Sequence, residues 1–352
     1  MLTRLAILMT LLLLVGCSTE GEPLPDADGD GDGDADADGD GDSDGDGDGD
    51  GDSDGDGDGD ADGDSDGDVV CDQGVWSGSY AITDQASMAA LEGYVGIAAA
   101  TPDDPGSLVI DAPDVTELLG LHCLQSVEGT LVIGESAAVV DLSGLSSLTE
   151  AGGLSIRNNS SLTSLSGLPA LTLLGDVTIE ECSALTEISF SNADVDGFVR
   201  IQMNESLTTV ELSSLTTARP DLDISGNGAL TSLDLGSLTT AEHVFLLDND
   251  ALMTLEGLES LTTVEGLTID FNDALTTLEG LESLTTLGSL HVHDNDSLEH
   301  LGLSSLTHVE VEFDIARNPT LPTCEAENLL AQLDSSPAGV EIAENDDSGT
   351  CE

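Results

Sequence analysis

One asparagine recurs through most of this chain at a near-constant interval, and that interval restricts the folds open to it. Asn159, Asn204, Asn227, Asn249, Asn272, Asn295 and Asn318 are 22 or 23 residues apart, except for one double gap of 45 after Asn159. Cys182 stands 23 residues after Asn159 and 22 before Asn204, so it fills the asparagine position of the turn that would otherwise be missing. The same count carried upstream reaches Ser136 and Pro113, which makes ten registers. Two successive coils, "GLTIDFNDALTTLEGLESLTTL" (266–287) and "GSLHVHDNDSLEHLGLSSLTHV" (288–309), share the approximate pattern L-x-I-x-x-N-x-x-L-x-x-L-x-G-L-x-x-L-x-x-V. A unit this short cannot bury its own apolar side, so it is stable only when stacked on its neighbours.

Strand alternation places the first and third residues of a segment such as "LTI" (267–269) on the inside. Stacking such segments about 4.8 Å apart makes a parallel sheet, and the leucines of "ALTTLEGLESLTTL" fill the interior behind it. A column of asparagines at the bend after each strand can hydrogen-bond the backbone of the next coil, where the turn makes no ladder bonds. Cysteine is small, tolerates burial and has a weak S–H donor, so Cys182 can stand in.

The pattern resembles leucine-rich repeats, which use N or C at this slot. It departs from them in placing two residues, not one, between the Asn and the next Leu. With the L-x-G-L step and the 22–23 residue period, it is closer to the receptor L domain of the insulin and epidermal growth factor receptors, and is similar to bacterial lipoproteins that carry such repeats behind acidic tethers. The resemblance covers roughly 71–335. It implies a mainly β chain forming a right-handed parallel β-solenoid of about ten coils with short helical caps.

The chain begins "MLTRLAILMTLLLLVGCSTE". One positive residue, an apolar run from Leu5 to Val15, and Gly16 before Cys17 form a signal-peptide pattern, and the run is too short for a spanning helix. "LVGC" resembles a bacterial lipobox, in which the cysteine is lipidated and becomes the first mature residue. The alternative is an ordinary secretory signal that happens to end in cysteine. Lipid chains on Cys17 would hold the protein on a membrane, and Ser18 in place of Asp implies the outer membrane, with either periplasmic or surface exposure.

From Asp26 to Asp68 every second residue is Asp, 22 in 43 residues. Nothing there is more apolar than alanine, so nothing offsets backbone entropy and the segment is expected to be a disordered tether. Successive carboxylates lie roughly 7 Å apart in an extended chain, inside the Debye length of about 8 Å, so their repulsion stretches it. "DADGDGDGD" has the start of an acidic calcium loop, but the segment has no Glu for position twelve. Weak, non-stoichiometric Ca²⁺ binding is the expectation there, and no other cofactor is assigned. The net charge of −66 falls only to −44 when those 22 residues are set aside, and there are five arginines and no lysine. Such a surface repels nucleic acid.

The remaining cysteines are Cys71, Cys123, Cys324 and Cys351. An exported chain permits two disulfides, and four cysteines allow three pairings. Cys71 with Cys123 and Cys324 with Cys351 is the favoured set, since each pair would staple an end where the repeat fails. The domain reading is a signal peptide at 1–16, a lipid-anchored tether at 17–68, an N-terminal cap at 69–106, repeats at 107–318 and a C-terminal cap at 319–352. The first cap should hold a strand and then a helix begun by Asp84 and running through Leu91. The second should hold a helix after Pro322 and Thr323, ending near Leu333.

Two columns should line the outer strand face. One is Ser155, Thr178, Arg200, Asp223, Phe245, Thr268, His291 and Asp314; the other is Arg157, Glu180, Gln202, Ser225, Leu247, Asp270, His293 and Ala316. Phe245 and Leu247 would then be an exposed apolar pair, a common mark of a contact site, unless a local register slip buries Phe245. His291 and His293 share the face, with Asp270 beside His293; two imidazoles and a carboxylate can ligate zinc, but surface histidines are more often unligated, and no metal is assigned. The chain has no G-x-S-x-G, H-E-x-x-H or G-x-x-x-x-G-K motif. The expectation is therefore a non-enzymatic, lipid-anchored envelope scaffold that binds a protein or glycan. The alternatives are a glycan-active enzyme using Asp223, Asp270 or Asp314, and a calcium-responsive spacer.

Overall fold

A computed structural model describes residues 70–134, 138–190 and 192–351. Cys17, the 26–68 segment and Ser136 lie outside the described residues. Parallel strands stack in chain order: Ser126–Ile133, Glu150–Arg157, Leu173–Glu180, Val199–Gln202, Thr217–Ser225, Thr240–Leu247, Thr263–Asp270, Thr286–His293 and His308–Ala316. The register follows the repeat. Leu267 lies between Val244 and Leu290, and Ile269 between Leu246 and Val292, all of them buried.

Two expectations are corrected. Most of these strands run eight or nine residues rather than three, because the segment before each "L-x-I" also pairs, across a register break such as that between Leu287 and Ser289. The stack also has about twelve turns rather than ten. Gly74–Ser77 and Tyr94–Ala98 extend it at one end and Gly339–Ala343 at the other. The first two lack the repeat text, while the third keeps its strand and corner as "VEIAEN" (340–345); ladder bonds join backbone to backbone, so strands without the motif can still stack.

Behind the sheet the leucines converge. Leu275, Leu278, Leu281, Leu284 and Leu287 of one coil are fully buried, each burial favourable by about 1.5–3 kcal/mol relative to exposure. On another side, Glu187–Ser189, Thr209–Glu211 and Ser232–Asp234 form a small parallel sheet. Two threonine columns that the sequence reading missed run along the coils. The Thr208 and Thr231 hydroxyls donate to the carbonyls of Thr186 and Thr208 at 3.0 and 3.2 Å. Thr239, Thr262 and Thr285 donate likewise to Thr216, Thr239 and Thr262 at 3.0–3.2 Å. Each hydroxyl therefore adds a bond between successive coils at an exposed edge.

The corner after each strand is a repeated device. The backbone N–H of Asn227, Asn249, Asn272 and Asn295 donates to the Oδ1 of the asparagine one coil on, at 3.0–3.2 Å. Their Nδ2 groups donate to strand carbonyls of the previous coil, such as Asn272 to Leu246 at 2.9 Å. Cys182 keeps this pattern with sulfur. Its N–H donates to Asn204 Oδ1 at 3.0 Å, and its thiol lies 3.4 Å from the Glu180 carbonyl and 4.0 Å from that of Ile156. The column continues to Asn345, which accepts from Asn318 N–H at 3.1 Å. The 27-residue interval, opened by the intervening helix, hid it from the repeat count.

The residue before each asparagine of the column, and before Cys182, has a left-handed backbone. Asn158, Glu181, Met203, Asp248, Phe271, Asp294, Arg317 and Glu344 have φ of 54–59°, and Gly226 has 69°. That conformation costs a non-glycine residue about 1–2 kcal/mol. It aims each N–H at the next coil, as Phe271 does at the His293 carbonyl at 3.1 Å.

The ends are stapled as expected, Cys71 to Cys123 and Cys324 to Cys351. The first helix is Gln85–Ala89, two residues shorter than expected. Asp84 and Ser87 cap it reciprocally, but Leu91 N–H bonds to the Met88 carbonyl, a tighter turn that ends it. The second helix is Thr323–Gln332, and Gln332 Nε2 donates to the carbonyls of Leu303, Ser304 and Leu306 at 2.7–3.3 Å, closing the last coil. Among the described residues no helix is long and apolar enough to cross a membrane.

Candidate functional site

Parallel pairing aligns the outer strand face into the two expected columns. Arg200, Asp223, Phe245, Thr268, His291 and Asp314 are successive partners in one, and Gln202, Ser225, Leu247, Asp270, His293 and Ala316 in the other. The register at Phe245 is regular, so no slip occurs there. Leu247 is nevertheless buried, at 7% exposure, where the sequence had suggested an exposed apolar pair. It sits in its column between Ser225 and Asp270, and neighbours about 4.8 Å away on either side leave a mid-sized side chain little open surface. Phe245 remains half-buried.

Around Phe245 the face is built of paired polar groups. Its ring stacks on His243, with centroids 6.1 Å apart and planes 13° from parallel. His243 Nδ1 lies 3.4 Å from Asp221 Oδ1. One strand back, Asp223 accepts from Gln202 Nε2 at 2.6 Å and from the Ser225 hydroxyl. Burial pushes the Asp223 carboxyl above the usual carboxylate range; Ser225, the Arg200 charge and Gln202 pull the other way, while Asp221 adds repulsion. Arg200 lies over the Phe198 ring at 5.2 Å. A desolvated carboxylate held by two donors beside an accessible ring is a preorganised polar contact with an apolar one next to it.

A second cluster lies further along. His293 Nε2 is 2.8 Å from Asp314 Oδ1, His291 Nδ1 is 4.0 Å from Asp314 Oδ2, and His291 Nε2 is 3.3 Å from Glu312 Oε2. The carboxylate facing both imidazoles is thus Asp314, while Asp270 lies beside His293 as its strand partner, as expected. Asp270 Oδ1 instead accepts the His293 backbone N–H at 3.1 Å. In its own column His293 lies between Asp270 and Ala316, and its ring reaches diagonally to Asp314, the strand partner of His291.

Sequence reasoning did not find a groove elsewhere on the stack. A cavity of about 560 Å³ is lined by Leu173, Gly175, Asp194, Asp196, Thr216 and Thr217, among others. It opens where the two-residue strand Asp194–Val195 pairs with Leu173–Leu174 but not with Thr217–Ser225. The available signal was the text "ISFSNADVDGF", which contains no leucine.

Residues 122–227 match a family model described as the leucine-rich-repeat domain of the endo-β-N-acetylglucosaminidase EndoS. No curated protein matches the chain. The matched segment spans the long strands from Ser126–Ile133 to Thr217–Ser225, and together they identify the stack as a leucine-rich-repeat-like solenoid.

Proposed function

We propose that this leucine-rich-repeat-like solenoid is a non-enzymatic binding scaffold, held at the bacterial outer membrane by lipid on Cys17 and displaced from it by the acidic 26–68 segment. The observation that carries the reading is the Phe245–His243 stack beside the Asp223–Gln202–Ser225 network. An apolar ring next to fixed hydrogen-bonding groups suits a sugar ring, which has apolar C–H faces and an equatorial rim of hydroxyls. The match to a repeat domain of an endo-β-N-acetylglucosaminidase supports a glycan as the first ligand to test, and a protein as the second.

For Asp223, Asp270 and Asp314, separation weighs against any two of them acting as a hydrolytic pair. Asp223 and Asp270 lie two strand steps apart, as do Asp270 and Asp314. Two steps span roughly 10 Å before any offset along the strands, beyond the ~5–9.5 Å that paired glycosidase carboxyls use.

The test is the purified full chain on a glycan array and as bait in detergent extracts of envelopes, with reducing ends assayed in parallel. Retention of a ligand without release of new reducing ends is expected. An empty array and an empty pull-down, together with hydrolysis of a polysaccharide, would overturn the reading. For the anchor, Cys17→Ser should move the protein from the membrane to the soluble fraction.

A further inference from the structure

The geometry points to a binding site for a Zn²⁺-class transition-metal ion formed by His291, His293 and Asp314 across two adjacent coils. This inference is independent of the glycan reading. His291 and His293 are two residues apart on Thr286–His293, so both rings leave the same side of the sheet, and Asp314 is the direct partner of His291 on His308–Ala316. One ligand atom from each of the three lies within 4.8 Å of the others. With bonds of about 2.0–2.2 Å, the donor atoms of a tetrahedral site sit roughly 3.3 Å apart, so modest side-chain rotation closes the set around one ion.

Two buried atoms argue for a third centre between them. His293 Nε2 and Asp314 Oδ1 are 2.8 Å apart and buried, yet neither makes a hydrogen bond. A simple ion pair would align that N–H on the carboxylate. Atoms that converge on a metal point instead at a common spot beside the line joining them, and buried polar atoms without partners are otherwise costly.

The surroundings fit as well. Glu312 Oε2 stands 3.3 Å from His291 Nε2. An N–H donated there fixes the tautomer whose free lone pair is at Nδ1, on the Asp314 side. Asp270 holds the His293 backbone from the other coil and brings a further carboxylate to the cluster. Imidazole nitrogens select Zn²⁺, Cu²⁺, Ni²⁺ or Co²⁺ over Ca²⁺ and Mg²⁺, which require oxygen. Three protein ligands leave one position of the tetrahedron, and His291, at 29% side-chain exposure, leaves it open to solvent.

Co²⁺ titration of the full chain tests this, because four-coordinate Co²⁺ absorbs strongly in the visible and six-coordinate Co²⁺ on tether carboxylates only weakly. One equivalent should give the intense spectrum and be displaced by one equivalent of Zn²⁺. His293→Ala and Asp314→Asn should abolish the spectrum, Glu312→Gln should weaken binding by about 10-fold, and His300→Ala should change nothing. If His293→Ala fails to fold by circular dichroism, the half-exposed Glu312→Gln still decides. Only a weak six-coordinate spectrum, or an intense one unchanged in the folded variants, would overturn the inference.

Discussion

Cys182 makes the same contacts as the asparagines on either side of it in the column, with longer bonds to sulfur, and that substitution has a measurable signature. Burial pushes its thiol up to about 11 from an ordinary 9.0, with the carboxylates of Glu181 and Glu180 adding to the shift and the Asn159 N–H opposing it. The protonated thiol is therefore the folded form. Its contribution is present below about pH 9 and is lost as pH rises through about 11, and it is worth at most about 3 kcal/mol. Denaturant melts at pH 8 and pH 10.5 should show a loss of stability that Cys182→Asn abolishes, since an amide restores the column and does not titrate. In the native protein Cys182 should resist thiol reagents and label only on unfolding; labelling at the rate of an exposed thiol would contradict the assignment. The interval between Asn159 and Asn204 was enough to place this residue, because periodicity reports position. It could not report the pKa, which depends on burial.

At the level of the coil, the corner combines one unfavourable backbone conformation with a set of hydrogen bonds that only that conformation can make. Phe271 holds φ at 59°, directs its N–H to the His293 carbonyl, and precedes Asn272. Phe271→Gly should leave stability within about 1 kcal/mol, as relief of left-handed strain offsets lost side-chain contacts and a freer unfolded chain. Phe271→Val, β-branched at the same φ, should destabilise by about 2 kcal/mol or more. Equal losses for the two would mean that side-chain packing, not backbone conformation, sets this position. Gly280, with φ of 107°, shows the complementary case: a Cβ there would meet the Leu255 carbonyl of the previous coil, which explains the G of the L-x-G-L step. Asparagine spacing and leucine positions were legible in the sequence because they repeat. The left-handed residues were not, being Asn, Glu, Met, Asp, Phe and Arg with no common chemistry, and neither was Asn345, displaced by the closing helix. On the outer face the columns were legible from alternation, but Asp314 as the partner of His293 was not, since side-chain direction between two equidistant strands is settled only in three dimensions.

Across the whole stack, each coil contacts chiefly the next, so the ends are where it should open first. The two disulfides join Cys71 to Cys123 and Cys324 to Cys351, one at each end, and none crosses the central coils. Reduction should therefore raise hydrogen exchange in Gly74–Ser77 and Gly339–Ala343 by ten-fold or more while leaving Thr240–Leu247 and Thr263–Asp270 near their oxidised rates. Uniform acceleration would show a single cooperative unit instead. The same arrangement gives the binding proposal its physical basis: coils fixed on both sides hold a rigid face, and ligand contacts on it lose little to ordering. The most direct test is the affinity of the full chain for the glycan it retains best, measured beside Phe245→Ala, Asp223→Asn and Thr231→Val, the last on a threonine column away from the outer strand face. Asp223→Asn removes a buried charge and should fold at least as stably, so a loss of binding there reports on recognition. The account predicts at least ten-fold weaker binding for Phe245→Ala and Asp223→Asn, about 1.4 kcal/mol each, and an unchanged value for Thr231→Val. Wild-type affinity in the first two, or a loss confined to Thr231→Val, would contradict it.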